Sequence, residues 1–237
     1  MTEYLIVTGT GTGVGKTIVT AALATVAARV GRKVAVVKPV QTGLLPGEPG
    51  DIDEVARLSG VTECHELVRY PDPLAPEAAA RVAGLPSADI TGIVGWIRSS
   101  LADRDLVLVE GAGGLLVRFD AQGRTIADVA ARLRARVVVV ADPALGTLNH
   151  TALTLEALAP RRLRLAGVVL GSWPAEPDLA CRTNLTDLPR VIRGPLAGAI
   201  PAGAAALDQA EFAVVAEAGL APSLGGRFNG IIDPSAL

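Results

Sequence analysis

The sequence predicts an α/β protein: a single domain built on a mostly parallel central sheet with helices on both faces. Three observations point there. Short β-branched runs alternate along the 237 residues with alanine-rich stretches of helical pattern, as expected of strands joined by crossover helices. The runs are apolar at successive rather than alternate positions, as in Val137-Val138-Val139-Val140, which suits strands covered on both faces. Polar and glycine-rich segments follow four of these runs, at the strand ends where an open parallel sheet collects its ligands.

In chain order, the first strand is expected over 4–8 (Tyr-Leu-Ile-Val-Thr), leading through a glycine-rich turn into a helix over 16–30. A strand over 33–38 and a helix over 51–58 follow, then a helix over 90–101 and a strand over 106–110. The chain continues with a helix over 125–134, a strand over 136–141, a helix over 148–158, and strands over 165–170 and 196–200. Residues 44–50 and 70–76 are punctuated by Pro and Gly and read as loops. The domain is placed at 1–221, with 222–237 as a poorly ordered tail. Repeats and low-complexity blocks are absent from the sequence.

Half the residues are hydrophobic and 19% are charged, enough apolar chain to bury a substantial core and too little charge to remain unfolded. A net charge of −2 disfavours nucleic acid and anionic membrane as partners, because both select a basic face. Small molecules and proteins are the expected partners. The strongest apolar run, 137–141, is far shorter than the roughly 18 to 20 residues that span a bilayer. The opening Met-Thr-Glu-Tyr carries no basic segment and apolar stretch of an export signal, so a cytoplasmic location is expected. Cys64 and Cys181 are then expected as reduced thiols without metal-type spacing.

The segment Gly9-Thr10-Gly11-Thr12-Gly13-Val14-Gly15-Lys16-Thr17, placed between a strand and a helix, reads as a phosphate cradle. Glycines let backbone N–H groups face phosphate oxygens, and the helix N-terminus adds its partial positive charge. Lys16 is placed to reach the β- and γ-phosphates, and Thr17 to offer its hydroxyl to Mg²⁺. The common spacing G-x-x-x-x-G-K-[ST] asks for glycine where Thr10 stands, so this loop is one residue longer. The dinucleotide pattern G-x-G-x-x-G fails as well, which disfavours hydride chemistry.

Lys38-Pro39-Val40-Gln41-Thr42-Gly43 puts an ammonium and a hydroxyl at the end of the second strand. Beside Lys16, a second ammonium suits charge developing on a transferring phosphoryl group and on an attacking anion. Glu110-Gly111-Ala112-Gly113-Gly114 closes the third strand with a carboxylate and small residues. Asp51 opens a helix, where it can either cap the helix or serve as a hard oxygen ligand, with Asp53 as competitor. Gly146-Thr147-Leu148-Asn149-His150 starts another helix, with free N–H groups suited to a carboxylate. All four segments are expected on one edge of the sheet, forming one site. His150 reads as a packed or capping residue.

Taken in order and spacing, these motifs resemble those of the dethiobiotin synthetases, over nearly the whole chain to about Gly203. The resemblance implies a P-loop NTPase-like fold and an ATP-dependent cyclo-ligase. That enzyme closes the ureido ring of dethiobiotin from 7,8-diaminopelargonic acid and CO₂ through a carbamate and a carbamic-phosphoric anhydride. It also implies roles for residues. Lys38, Lys16 and Thr12 match the catalytic set, and Thr17, Asp51 and Glu110 match the magnesium ligands. Gly13, Val14, Gly15, Gly111, Ala112 and Gly113 accompany them around the nucleotide. Thr42 and the turn Gly146, Thr147, Leu148 and Asn149 match the substrate contacts, the turn being contributed by the neighbouring subunit of a homodimer.

At the nucleobase the chain departs from the family. Where relatives often place an adenine-reading Asn after the fifth strand, this sequence runs Gly171-Ser172-Trp173-Pro174-Ala175. Gly171, Ser172, Pro201, Ala202 and Gly203 are the candidate base and ribose contacts, and CTP stands beside ATP as a co-substrate to test. Two rivals fit less well. An amidating synthetase of the cobyrinate type needs a further glutaminase domain. A partition or switch ATPase carries a second loop lysine where this chain has Gly11.

Overall fold

A computed structural model describes residues 2–230 of the chain. The alternation of strands and helices folds in the order β1 (Glu3–Gly9), α1 (Lys16–Arg29), β2 (Val34–Lys38), β3 (Gln41–Thr42), α2 (Asp51–Ser59), β4 (Cys64–Glu66) and β5 (Arg69–Tyr70). It continues with α3 (Pro76–Val82), α4 (Ile90–Ser100), β6 (Leu106–Gly114), α5 (Ile126–Leu133), β7 (Arg136–Ala141) and α6 (Thr147–Leu158). The last elements are β8 (Arg164–Trp173), α7 (Leu179–Ile192), β9 (Gly198–Pro201) and α8 (Gln209–Gly219). Seven strands form a parallel sheet in the order β4-β2-β6-β1-β7-β8-β9. The short pair β3-β5 forms a second, parallel sheet beside the end of β2.

Successive side chains of each strand enter opposite cores, which is why the strand runs are apolar throughout. Ile6, Val107, Val109, Val137 and Val139 belong to one core with Ile93 and Ile97 of α4 and Val129 of α5. Leu5, Val7, Leu108, Val138 and Val140 belong to the other, with Val19 and Leu23 of α1, Val55 of α2 and Phe212 of α8. Helix α1 is buried along most of its length between α2 and α8. Its alanines keep that close approach open while favouring helix.

Every expected strand and helix is present, with β6 and β8 running several residues further toward the working edge. The helices α3, α7 and α8 and the strands β3, β4 and β5 lie in segments that the sequence reading left unassigned or as loop. Residues 222–228, expected as the start of a loose tail, are instead packed. Pro222–Leu224 form a 3-10 turn, Leu224 and Phe228 are buried, and the Phe228 N–H donates to the Leu220 carbonyl. The rest of that expected tail, 231–237, lies outside the described residues. Cys64 and Cys181 are both free thiols. Among the described residues no helix is long and apolar enough to cross a membrane.

Candidate active site

The phosphate loop runs from the end of β1 to the start of α1. Gly13 and Gly15 take the left-handed conformation, with φ of 76° and 91°, which a side chain would strain. Gly15 also lies so close to the end of β8 that a Cβ would stand 2.3 Å from the Gly171 carbonyl oxygen. A Cβ on Gly171 would in turn stand 2.0 Å from the Val14 carbonyl oxygen. The two glycines let the loop rest on β8, backbone against backbone. The Lys16 side chain curls over the loop and its ammonium donates to the Gly11 carbonyl at 2.9 Å.

A cleft of about 420 Å³ opens in front of this loop. Its walls bring together Thr12, Gly13, Gly15, Lys16 and Thr17 from the first segment, Lys38 and Thr42 from the second, and Glu110, Ala112 and Gly113 from the third, with Asp51 at one side. Three of the four segments expected to share a site therefore do so. Gly111 contributes its carbonyl, which accepts from the Lys38 ammonium at 3.3 Å. Val14 is buried beneath the loop.

At the centre sits Lys38, only 3% exposed. Its ammonium pairs with Glu110 Oε1 at 2.8 Å and with Asp51 Oδ2. Glu110 Oε1 also accepts from the Thr17 hydroxyl at 3.0 Å, whereas its Oε2 is buried with no hydrogen-bond partner. Burial draws the Lys38 pKa down, but the charges of Glu110 and Asp51 more than reverse it and hold it above the ordinary lysine value. Lys16 shifts the other way: burial, joined by repulsion from Lys38, lowers it, and Glu110 and Asp51 only partly compensate. Two ammonium groups thus share one cleft, with the more deeply buried one fixed by two carboxylates.

Asp51 and Asp53 are set apart by where the backbone of Gly50 points. Its N–H donates to Asp53 Oδ2 at 2.6 Å, so Asp53 is consumed in capping α2. Asp51 faces the cleft. Its own N–H donates to the amide oxygen of Gln41 at 3.2 Å, a contact that no motif spacing in the sequence signals.

The donor set suits a hard divalent cation. Thr17, Asp51 and Glu110 present a hydroxyl and two carboxylates, and the unpartnered Glu110 Oε2 is a buried acceptor open to a cation or a hydrogen-bond donor. Among the described residues no group of three or more His, Cys, Asp or Glu could hold a metal by itself. A cation held here would take further oxygens from phosphate and water, as magnesium does.

The remaining sequence candidates stand outside the cleft walls. Gly171 is the packing partner of the phosphate loop, and Ser172 beside it is exposed. Pro201 ends β9, and Ala202 and Gly203 follow it. The Ala202 N–H donates to the Trp173 carbonyl at 2.7 Å, tying the ends of β8 and β9 together. Gly146, Thr147, Leu148 and Asn149 start α6 at the end of β7. Gly146 has φ 98°, and the buried Thr147 hydroxyl has no partner. Leu145, just before them, is 90% exposed. The preceding turn is pinned from α7, where the buried Asn184 amide donates to the carbonyls of Pro143 at 2.8 Å and Ala144 at 3.0 Å.

Comparison with known proteins bears directly on this arrangement. A family model described as an AAA domain matches residues 3–208. The ATP-dependent dethiobiotin synthetase of Frankia casuarinae is 61% identical over 225 residues, covering 95% of this chain and 94% of that one. The chain belongs to the dethiobiotin synthetase family. A dethiobiotin synthetase of Saccharopolyspora erythraea is 58% identical over 227 residues, 96% of this chain and 99% of that one. Solved structures extend the fold beyond dethiobiotin synthetases. MinD of Pyrococcus horikoshii complexed with Mg-ADP superposes with a TM-score of 0.53 at 19% identity, over 85% of this chain and 82% of that one. A ParA family ATPase from Chlorobium tepidum gives 0.52 at 15%, over 94% and 95%. At such identities the likeness is one of fold alone.

Proposed function

We propose that this cleft performs the ATP-dependent step that names its relatives, closing the ureido ring of dethiobiotin in biotin biosynthesis, with Lys38 at its centre. The observation that carries the reading is the buried Lys38 ammonium between Asp51 and Glu110, beside Lys16 and a glycine-lined phosphate loop. Loop N–H groups and Lys16 bind the phosphates. Lys38 and Thr12 are assigned to the meeting point of carbamate and γ-phosphate, and Thr42 to the diamine, all three lining the same cleft.

One amine of 7,8-diaminopelargonic acid adds to CO₂ and loses a proton, giving a carbamate. A carbamate oxygen attacks the γ-phosphorus and the bond to the β-phosphate oxygen breaks, releasing the nucleoside diphosphate. The second amine attacks the carbamoyl carbon of the resulting mixed anhydride, inorganic phosphate leaves, and the ring closes with loss of a proton. The reaction needs no protein nucleophile. Fixed ammonium groups and backbone donors supply orientation and charge neutralisation at each transfer. Thr17, Asp51 and Glu110 would hold Mg²⁺, which when bound supplies further neutralisation of phosphate charge.

The carboxylate of the diamine substrate is assigned to the turn Gly146–Asn149 of a neighbouring subunit in a homodimer. Support comes from that turn's position outside its own cleft and from two exposed leucines, Leu145 before the turn and Leu153 in α6. The base and ribose are assigned to Gly171, Ser172, Pro201, Ala202 and Gly203. Ser172 alone in that set has a polar side chain, so main-chain groups would make the other polar contacts, which favours tolerance between ATP and CTP.

The test is nucleoside diphosphate release with Mg²⁺, bicarbonate and the diamine, each omitted in turn, with ATP compared against CTP and dethiobiotin detected by mass. Release that requires every component and yields the ring product is expected. Release indifferent to the diamine would assign the cleft to a switch-type ATPase instead.

A further inference from the structure

Gln41 also lines this cleft, and its side chain is committed in two directions at once. It is buried, between the strand that carries Thr42 and the helix that begins at Asp51. Its amide oxygen accepts the Asp51 N–H at 3.2 Å, and its amide nitrogen donates to the Thr42 carbonyl at 3.1 Å. Its own backbone N–H is held by the Val68 carbonyl at 2.8 Å, so the side chain starts from a fixed point in the β3–β5 pair.

Besides the ion pair of Asp51 with Lys38, the start of α2 is held on this side through its backbone. The first N–H groups of a helix have no partner within the helix. Asp53 takes the N–H of Gly50, and Gln41 takes that of Asp51. The chain enters the helix through a narrow gap. A Cβ on Gly50 would lie 2.9 Å from both Arg69 Nη2 and Glu66 Oε2, and 3.5 Å from Gln41 Oε1. Arg69, paired with Glu66, also donates to the carbonyls of Leu45 at 2.8 Å and Glu48 at 2.6 Å, which fastens the loop leading to Gly50. With the loop clamped from one side, the amide of Gln41 sets where Asp51 stands relative to Lys38 and Glu110.

We propose that Gln41 is a positioning residue that couples the two halves of the site. Its oxygen aims Asp51 at the cation and phosphate side, and its nitrogen holds Thr42 on the diamine side. The inference rests on Asp51 being a cation ligand, as read above, and it adds a residue for which that reading has no role. An amide suits the task because it presents an acceptor and a donor on one rigid plane without adding charge between Lys38 and two carboxylates.

The two arms can be separated by substitution. Gln41→Met keeps the bulk and loses both hydrogen bonds. Gln41→Glu keeps the acceptor for Asp51, loses the donor to Thr42, and adds a negative charge that cannot weaken a neighbouring cation. The full-length protein is titrated with Mn²⁺ in the presence of ADP, free Mn²⁺ being followed by electron paramagnetic resonance, and diamine KM and kcat are measured on the same preparations. Gln41→Met is expected to weaken Mn²⁺ binding by about fivefold, the scale of one net hydrogen bond, and to raise the diamine KM. Gln41→Glu is expected to raise the diamine KM while binding Mn²⁺ at least as tightly as the parent. Equal weakening of Mn²⁺ binding in both variants, or none in Gln41→Met, would overturn the proposal and leave Gln41 as packing. Asp51→Asn is the control: if it leaves Mn²⁺ affinity unchanged, the ligand role of Asp51 has failed, whatever Gln41 does.

Discussion

Lys38 and Glu110 form a buried pair in which each charge depends on the other. Lys38→Met is expected to abolish ring closure. The structure adds a cost in folding. Removing the ammonium leaves Glu110, fully buried and with Oε2 already unpartnered, without its cation. A stability loss of about 3 kcal/mol in urea unfolding is expected, partly restored without activity in the double variant Lys38→Met/Glu110→Gln. Glu110→Ala by contrast is expected to raise the Mg²⁺ concentration for half-maximal turnover by roughly tenfold or more, since even supporting partners of a metal ligand matter on that scale. At this scale the sequence was informative wherever a residue type is tied to a backbone shape, as with Gly15-Lys16-Thr17 after a strand. It left Asp51 and Asp53 as alternatives because the choice depends on which way one N–H of Gly50 points. Gln41 gave no signal, since its partners lie one and ten residues away and neither spacing belongs to a recurrent pattern.

Between elements, the contact of the phosphate loop with β8 has no spare room. Gly171→Ala is expected to push the loop from its position, raising KM for ATP far more than KM for the diamine, because the clash falls on the Val14 carbonyl. At the opposite edge, Glu3 of β1 joins Arg136 of β7 and Arg32 behind α1, the latter at 2.7 Å. Burial pushes the Glu3 carboxyl up, but the two guanidinium groups outweigh it and hold the pKa below the ordinary carboxylate value. Such a group stabilises the fold above its unfolded-state pKa of about 4.3, and the benefit disappears as pH falls through the lowered folded value. Glu3→Gln is therefore expected to cost up to about 1 kcal/mol near neutrality, limited by solvent screening, with the difference closing in acid unfolding curves. Six of the seven sheet strands were legible because each is built on an apolar run, whereas the edge strand β4, Cys64-His65-Glu66, has none. The missed elements are of another kind. The two-residue strands β3 and β5 exist through their pairing with each other. Helix α7 carries Pro189 within it and is close to neutral in its balance of polar and apolar residues, and it packs against α6, the kind of tertiary support from which most helical stability comes.

For the molecule as a whole, the segment after α8 is part of the fold. Deleting everything beyond Ala221 removes buried Leu224 and Phe228, together worth at least about 3 kcal/mol, and is expected to lower Tm by about 6 to 12 °C in calorimetry. A loose tail would leave Tm unchanged. The same scale holds the consequence of the Asn184 amide, which fixes from α7 the turn that leads into Gly146. If that turn serves the neighbouring subunit, the harm done by Asn184→Ala falls on the other chain, while the variant's own Lys38 stays sound. Two crippled chains then make one good enzyme. Dimers mixed from Lys38→Met and Asn184→Ala subunits regain one intact centre, with the lysine from one chain and the turn from the other. Activity recovered on mixing two inactive preparations, approaching half that of the parent per hybrid dimer, would be genetic complementation written into a pair of hydrogen bonds.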